Sequence, residues 1–108
     1  IVWYPWFYYR FLLQVIKGTM SRFLVTFEIE DELRPSLIEQ LKRLGSWARI
    51  TTNTWCVKSD DKNTVIIRDA LKEAVGDNGR LFVVNITDSA WASYCIPKEV
   101  TDWLKDNC

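Results

Sequence analysis

The residues with the clearest chemical potential form an acidic cluster that follows an apolar stretch. The cluster contains Glu28, Glu30, Asp31 and Glu32. Carboxylates bind divalent cations such as Mg²⁺ and can act as general acids or bases. Glu28 lies on the apolar stretch itself. Glu30 and Asp31 could assist it in catalysis, but they fit equally well as solvated turn residues. Glu28 is therefore the candidate for catalysis and for metal binding. The structural alternative is a rim carboxylate.

In that structural alternative, the carboxylate of Glu28 pairs with a basic residue on a neighbouring strand. Arg22 and Arg49 are the two arginines placed to do so. Such an ion pair would have no catalytic role. Both interpretations of Glu28, a catalytic or metal-binding carboxylate and an ion-paired rim carboxylate, stay open at this point.

The chain contains no histidine. This excludes imidazole acid/base catalysis, the Ser-His and Cys-His nucleophile pairs, and the commonest zinc ligand. The three cysteines, Cys56, Cys95 and Cys108, are odd in number and show no CxxC spacing. We predict reduced thiols in a cytoplasmic protein. No cofactor is indicated, except Mg²⁺ if the protein is a nuclease.

The charge balance bears on possible partners. The chain has 14 basic and 14 acidic residues, and this zero net charge argues mildly against a large phosphate-binding surface. A local basic patch stays possible. The candidate contacts to nucleic acid or to a protein partner are Arg34, Arg43 and Trp91. The alternatives are a solvated helix face for the arginines and a cap on the sheet edge for Trp91.

Two further tryptophans, Trp47 and Trp55, lie on short stretches with strand-like alternation. Aromatic side chains on a sheet can stack on the bases of single-stranded nucleic acid. We favour packing in the core or in a dimer interface for both residues.

The alternation along residues 22–30 predicts a central strand that positions Glu28. One face of this strand is wholly apolar and should meet a core. The other face carries Leu24, Thr26 and Glu28, and it turns from apolar to acidic along the strand.

The rest of the chain predicts alternating helices and strands. A leucine-rich helix follows, with a Ser36-x-x-Glu39 capping box and a stop at Gly45. Two short antiparallel strands come next, over residues 47–51 and 54–58. A second helix ends at Gly76, and a strand over residues 80–86 is apolar enough on both faces to be internal to the sheet or packed on both sides. A last helix follows Pro97.

This order predicts an α+β protein with a ferredoxin-like fold. From Met20 the elements run βαββαβ, which gives a four-stranded antiparallel sheet with two helices on one face. The second face is left open, and an apolar open face needs a partner. We therefore predict a homodimer that meets through Leu24 and Thr26, within a domain that spans residues 20–108.

Residues 1–19 form an N-terminal aromatic extension. Residues 1–16 hold seven of the fifteen aromatic residues, and Pro5 and Gly18 could open and close a helix. The basic residues follow the apolar run, which argues against a signal peptide. Arg10 and the shortness of the run argue against a membrane span, and we do not expect membrane contact. The extension is either a helix packed on an apolar surface of its own chain or of a partner, or an addition upstream of a natural start at Met20.

Residues 23–31 resemble the opening strand of the second CRISPR-associated protein, the small adaptation subunit first described as an endoribonuclease. The leucine-rich first helix, the glycine before the second strand and the tryptophan in Thr54–Val57 fit the same pattern. The resemblance covers about Met20 to Ile86. The chain is more similar still to an uncharacterised branch of short proteins that share this layout, including the Ala90-Trp91-Ala92 segment.

The resemblance implies a homodimer of ferredoxin-like protomers with an acidic residue of each first strand near the two-fold axis. In nuclease-active members this residue is an Asp proposed to bind a divalent metal, and in adaptation complexes the protein clamps duplex DNA. Glu28 occupies the matching position. Its longer side chain moves the carboxylate by about one methylene, which puts a tight octahedral Mg²⁺ site in doubt.

Three functional hypotheses follow. The leading one is a dimeric protein like the CRISPR adaptation subunit, weakly catalytic or non-catalytic, which acts through nucleic acid or a protein partner. The second is a metal-dependent endoribonuclease or toxin that uses paired Glu28 carboxylates. The third is a pure protein-interaction module.

Overall fold

The computed structural model describes residues 21–107, which form four strands and three helices. The predicted N-terminal helix over residues 1–19 lies outside this range. Within the range, no helix has the length and apolarity needed to cross a membrane. The elements are β1 (Ser21–Glu28), α1 (Arg34–Arg43), β2 (Ser46–Thr51), β3 (Thr54–Ser59), α2 (Thr64–Val75), β4 (Arg80–Asn85) and α3 (Lys98–Asn107).

The four strands form one sheet in the order β2-β3-β1-β4, and every neighbouring pair is antiparallel. The predicted α+β class and four-stranded antiparallel sheet are confirmed, and β1 is a central strand as expected. The prediction of a strand over residues 80–86 that is internal or packed on both sides is wrong, because β4 lies at an edge and one of its faces is uncovered at Phe82. Its outward-facing Phe82 is 64% exposed, so apolar character on both faces did not signal burial on both.

One face of the sheet packs on α1 and α2 and forms the core. The predicted apolar face of β1 supplies Phe23, Val25 and Phe27, which are at most 4% exposed. Complete burial of such a side chain contributes roughly 1.5–3 kcal/mol. The helices add Leu37 and Leu41 from α1, and Ile67, Leu71 and Val75 from α2.

Helix α1 begins three residues earlier than the predicted capping box would place it, with Leu33 rather than Ser36 as its N-cap residue. Pro35 occupies the first turn, where its missing N–H has no intrahelical partner to lose. A 3-10 turn over Asp31–Leu33 leads directly into the helix. Glu39 does not cap the helix but pairs with Arg43, at 3.3 Å between Oε1 and Nη2. The predicted box is therefore wrong.

The predicted stop at Gly45 is confirmed, and the structure shows a second reason for a glycine there. A Cβ atom at this position would lie 2.2 Å from the main-chain oxygen of Lys58. Because that neighbour is backbone, it cannot move aside easily. The absence of a side chain lets the link from α1 to β2 pass close to β3.

Helix α3 lies over the second face of the sheet, at the end where β1 begins. Leu104 is 6% exposed, and the Trp103 Nε1 donates to the Ser46 Oγ at 3.1 Å. Arg22 and Lys58 both donate to Asn107, the last residue of α3. The chain therefore covers part of the face that the sequence led us to expect open.

Candidate interaction surface

The uncovered part of the second face lies at the other end of β1. It contains Thr26, Glu28, Arg80 and Phe82, which we call the open patch. Strand register places Glu28 opposite Arg80 and Thr26 opposite Phe82. These residues border a shallow cleft of about 310 Å³. The open patch thus combines one exposed aromatic ring with one charge of each sign.

Glu28 is exposed in this patch. Within residues 21–107 it takes part in no ion pair, and no group of three or more Asp, Glu, His or Cys residues comes together to hold a metal. Mg²⁺ is usually bound by one or two carboxylates together with waters and substrate phosphates. A metal at Glu28 would therefore take its other ligands from water, from a substrate or from a second copy.

The expected pairing of Glu28 with Arg22 or Arg49 is wrong, because both arginines are engaged elsewhere. Arg22 donates from Nε to the Asn107 main-chain oxygen. Arg49 lies over the ring of Trp55, with its guanidinium carbon 5.5 Å from the centroid, and donates to the Thr52 oxygen at 3.2 Å. The cross-strand neighbour of Glu28 is Arg80 instead.

Arg34 connects three segments of the fold. Its Nη2 lies 3.3 Å from the Asp31 Oδ1, and its Nη1 donates to the Asn53 Oδ1. The Asn53 main-chain oxygen accepts from the Phe27 N–H at 3.1 Å. The side chain of Arg34 is only 21% exposed. Its guanidinium therefore fastens the start of α1 to the turn between β2 and β3 and offers little to a partner.

The predicted contact residues do not share one surface. Arg43 is 67% exposed and pairs with Glu39 on the outer side of α1. Trp91 follows β4 and lines a groove with Leu24 and Leu104, on the opposite face of the sheet. Arg34 and Arg43 are the first and last residues of α1, which packs on the core side of the sheet. The structure therefore brings neither of these two arginines together with Trp91.

Three further ion pairs are present among the described residues. Ion pairs join Lys62 to Asp61, Arg68 to Asp69 and Lys98 to Asp102. Arg10 and Lys17 lie outside residues 21–107, which leaves 12 basic and 14 acidic residues and a formal charge of −2. This balance is unfavourable for binding a phosphate backbone.

The groove that contains Trp91 has a volume of about 380 Å³. We call it the C-terminal groove. Its main apolar lining comes from Leu24, Ile50, Ile86, Trp91, Tyr94 and Leu104. The two residues predicted to form a dimer face are thus separated: Leu24 is half-buried in this groove, whereas Thr26 belongs to the open patch.

The two tryptophans of the paired strands contact each other with their rings tilted by 44°. Trp55 is 1% exposed, and Trp47 covers it with ring centroids 5.0 Å apart. The Lys42 Nζ lies 5.1 Å above the Trp47 ring. Core packing is confirmed for Trp55, which is inaccessible to a nucleic-acid base. Trp47 keeps an outer surface, but a lysine already occupies it.

Phe82 and Arg80 are the surface residues that sequence reasoning missed. Their strand was predicted to be internal or packed on both sides, so neither side chain was considered for contact. The signal was present in the alternation of residues 80–84, which places Phe82 on the face away from Leu81 and Val83.

The chain matches no known family model, and comparison with curated proteins and with solved structures finds no similar protein. The resemblance to the CRISPR adaptation subunit therefore stays a prediction.

Proposed function

We propose that this chain is a non-catalytic homodimeric interaction module with a ferredoxin-like fold, in which the open patch joins two copies. The antiparallel strand order β2-β3-β1-β4 supports the fold, because it is the order expected of the split βαβ arrangement with α1 and α2 on one face. An acidic residue at the end of β1 also agrees with the resemblance to the CRISPR adaptation subunit.

The observation that carries the dimer is the exposure of Phe82 beside a charged cross-strand pair. Phe82 is 64% exposed, and Glu28 and Arg80 face each other in the adjoining row. An isologous contact requires a surface that is complementary to itself. The open patch meets this requirement, because its two charges have opposite signs.

A two-fold axis parallel to the strands, midway between β1 and β4, produces the complementary contact. It brings Glu28 over Arg80 of the partner subunit and Phe82 over Thr26 of the partner subunit. Two apolar rings leave water, and two interchain ion pairs fix the register. In this arrangement each Glu28 faces an arginine rather than the second Glu28, which disfavours a paired-carboxylate metal site.

The charge balance favours a protein surface over nucleic acid. Residues 21–107 carry a formal charge of −2, and Arg34 and Arg43 are both paired with carboxylates. Trp55, which could have stacked on a base, is buried. The module thus acts through contacts with protein, first of all with its own copy.

A charge-swap series tests the dimer by sedimentation equilibrium. We expect a micromolar dimer for the unchanged chain and a Kd raised about tenfold, roughly 1.4 kcal/mol, by Glu28→Arg or by Arg80→Glu. The double swap should restore the original Kd. Glu73→Arg, an equal charge change on the exposed side of α2, is the matched control and should have no effect.

Two results would overturn this function. One is a chain that stays monomeric at 100 µM, roughly a hundred times a micromolar Kd. The other is tight binding to duplex DNA with a steep salt dependence, which is the mark of a phosphate clamp.

A further inference from the structure

The C-terminal groove presents an apolar surface that the described residues leave uncovered. Tyr94 at its rim is 90% exposed, and Trp91 is 39% exposed. The floor is formed by Leu24 and Ile50 of the sheet, and one wall by Leu104 of α3. Contiguous apolar surface of this kind marks a binding site for another apolar element.

Residues 1–20 join the described chain beside this groove. They precede Ser21, the first residue of β1. The next residue, Arg22, donates its N–H to the Thr87 Oγ1 at 3.0 Å and accepts from the Ile86 N–H at 2.8 Å. Ile86 itself lines the groove. The point of attachment is therefore at the edge of the groove, and Leu24 lies three strand residues away, about 10 Å.

The length and composition of residues 1–20 fit the groove. A helix of twelve residues would be about 18 Å long, which leaves several residues for the connection to β1. Residues 1–16 contain seven aromatic side chains. The only charges are Arg10 and Lys17, and at helical spacing they lie with Gln14 on one narrow stripe. The remaining surface of such a helix is apolar.

We propose that residues 1–20 dock in the C-terminal groove of their own chain, with their aromatic side chains against Trp91 and Tyr94. The covalent connection gives this segment an effective concentration in the millimolar range, which favours it over the same segment of another molecule. The groove includes Leu24 and the open patch includes Thr26, the next residue on the same face of β1, so the test has to distinguish a contact within one chain from a contact between two copies.

Cross-linking in the full chain identifies the occupant. Cys95 is an exposed thiol adjoining Tyr94 and Ile96 of the groove, whereas Cys56 is buried. With Cys108→Ser, a second thiol introduced by Gln14→Cys leaves the apolar side of the segment intact. A short bismaleimide is then applied to a mixture of ¹⁴N- and ¹⁵N-labelled chains.

We expect a Cys95 cross-link whose two peptides carry the same isotope. The matched control moves the acceptor thiol with Cys95→Ser and Asn78→Cys, because Asn78 is exposed near Glu30 at the far end of β1. It should give no cross-link. Mixed-isotope products would assign the groove to a second copy and overturn the proposal. Absence of a cross-link, or equal yield at both acceptors, would also overturn it.

A groove-filling variant gives a second readout. Ala92 lines the groove and is exposed, so Ala92→Arg obstructs docking without disturbing the core. Hydrogen exchange of residues 1–20 should then accelerate about tenfold or more, since exchange rates report local opening. Ala70→Arg, the same change on the exposed face of α2, should leave it unchanged. Equal exchange in the unchanged chain and both variants would contradict the proposal.

Discussion

Arg22 on the first strand donates from its Nε to the main-chain oxygen of Asn107, the last residue of α3. The two residues are 85 positions apart. The last carbonyl groups of a helix have no partner within it and carry a partial negative charge, so a cation there is stabilising. The Lys58 Nζ adds a bond to the Asn107 Oδ1 at 3.3 Å. Two cations of the sheet therefore hold the end of α3 in place.

Replacing Arg22 should loosen α3 more than it disturbs the sheet. Arg22→Met keeps most of the apolar stem and removes the donor and the charge. We expect the free energy of unfolding to fall by about 1–2 kcal/mol, with faster hydrogen exchange in residues 98–107. Lys105→Met removes an exposed charge from the last turn of the same helix without breaking a bond to Asn107, so it should cost less than Arg22→Met and serves as the matched comparison. Equal effects of the two changes would exclude the role assigned to Arg22.

Arg34 and Arg43 should differ in their effect on stability. Arg34→Ala breaks bonds to Asp31 and Asn53 from a side chain that is mostly buried, and we expect a loss of about 1–2 kcal/mol. Arg43→Ala breaks one exposed pair with Glu39 and should cost less than about 0.5 kcal/mol. Urea denaturation of both variants measures the difference. An unchanged midpoint for Arg34→Ala would exclude a structural role for Arg34 and restore it as a candidate contact residue for a partner.

The core side of the fold could be predicted because it depends on local patterns. Alternation in β1 separates Phe23 and Val25 from Leu24, and helical spacing in α1 and α2 supplies matching stripes. These signals need no knowledge of distant residues. They account for the antiparallel sheet and for the two helices on one face of it.

The second face could not be predicted because it depends on contacts between remote positions. The bond from Arg22 to Asn107 leaves no local trace, and neither does the bond from Arg34 to Asn53. An apolar strand such as β4 also looks alike at an edge and in the interior. The separation of Leu24 from Thr26 follows from tertiary packing alone, whereas the outward direction of Phe82 is already indicated by the alternation of residues 80–84.

The two tryptophans in contact, Trp47 and Trp55, should contribute differently to stability. Trp55→Ala removes a side chain that is 1% exposed and should cost about 3–5 kcal/mol. Trp47→Ala loses one aromatic contact and one cation–π contact, together about 1–2.5 kcal/mol. Thermal unfolding of both variants checks the order. If the two losses were equal, Trp47 would be as much a part of the core as Trp55.

Asp61 provides a prediction about pH. Hydrogen bonds from the Lys62 ammonium and the Ser59 hydroxyl lower the pKa of its carboxyl from the ordinary value of 3.8. A lowered folded-state pKa stabilises the fold fully above 3.8, and this contribution disappears as the pH falls through the folded-state pKa. Asp61→Asn should therefore destabilise the protein at neutral pH and have no such effect in strong acid. Asp60→Asn, at the neighbouring exposed position, is the control, and carboxyl NMR titration gives the direction of the shift.

We expect Glu28 to have no role in the hydrolysis of RNA. Residues 21–107 contain no cluster of three metal-type ligands, and the proposed dimer turns each Glu28 towards Arg80 of the partner subunit rather than towards the second Glu28. Mg²⁺ needs several oxygen ligands in tight octahedral geometry. We therefore expect no Mg²⁺-dependent cleavage of single-stranded RNA by the purified chain above the rate in buffer. Glu28→Ala and Glu30→Ala should behave alike. Mg²⁺-dependent cleavage that Glu28→Ala abolishes and Glu30→Ala retains would establish the endoribonuclease alternative, and with it a dimer in which the two Glu28 carboxylates converge.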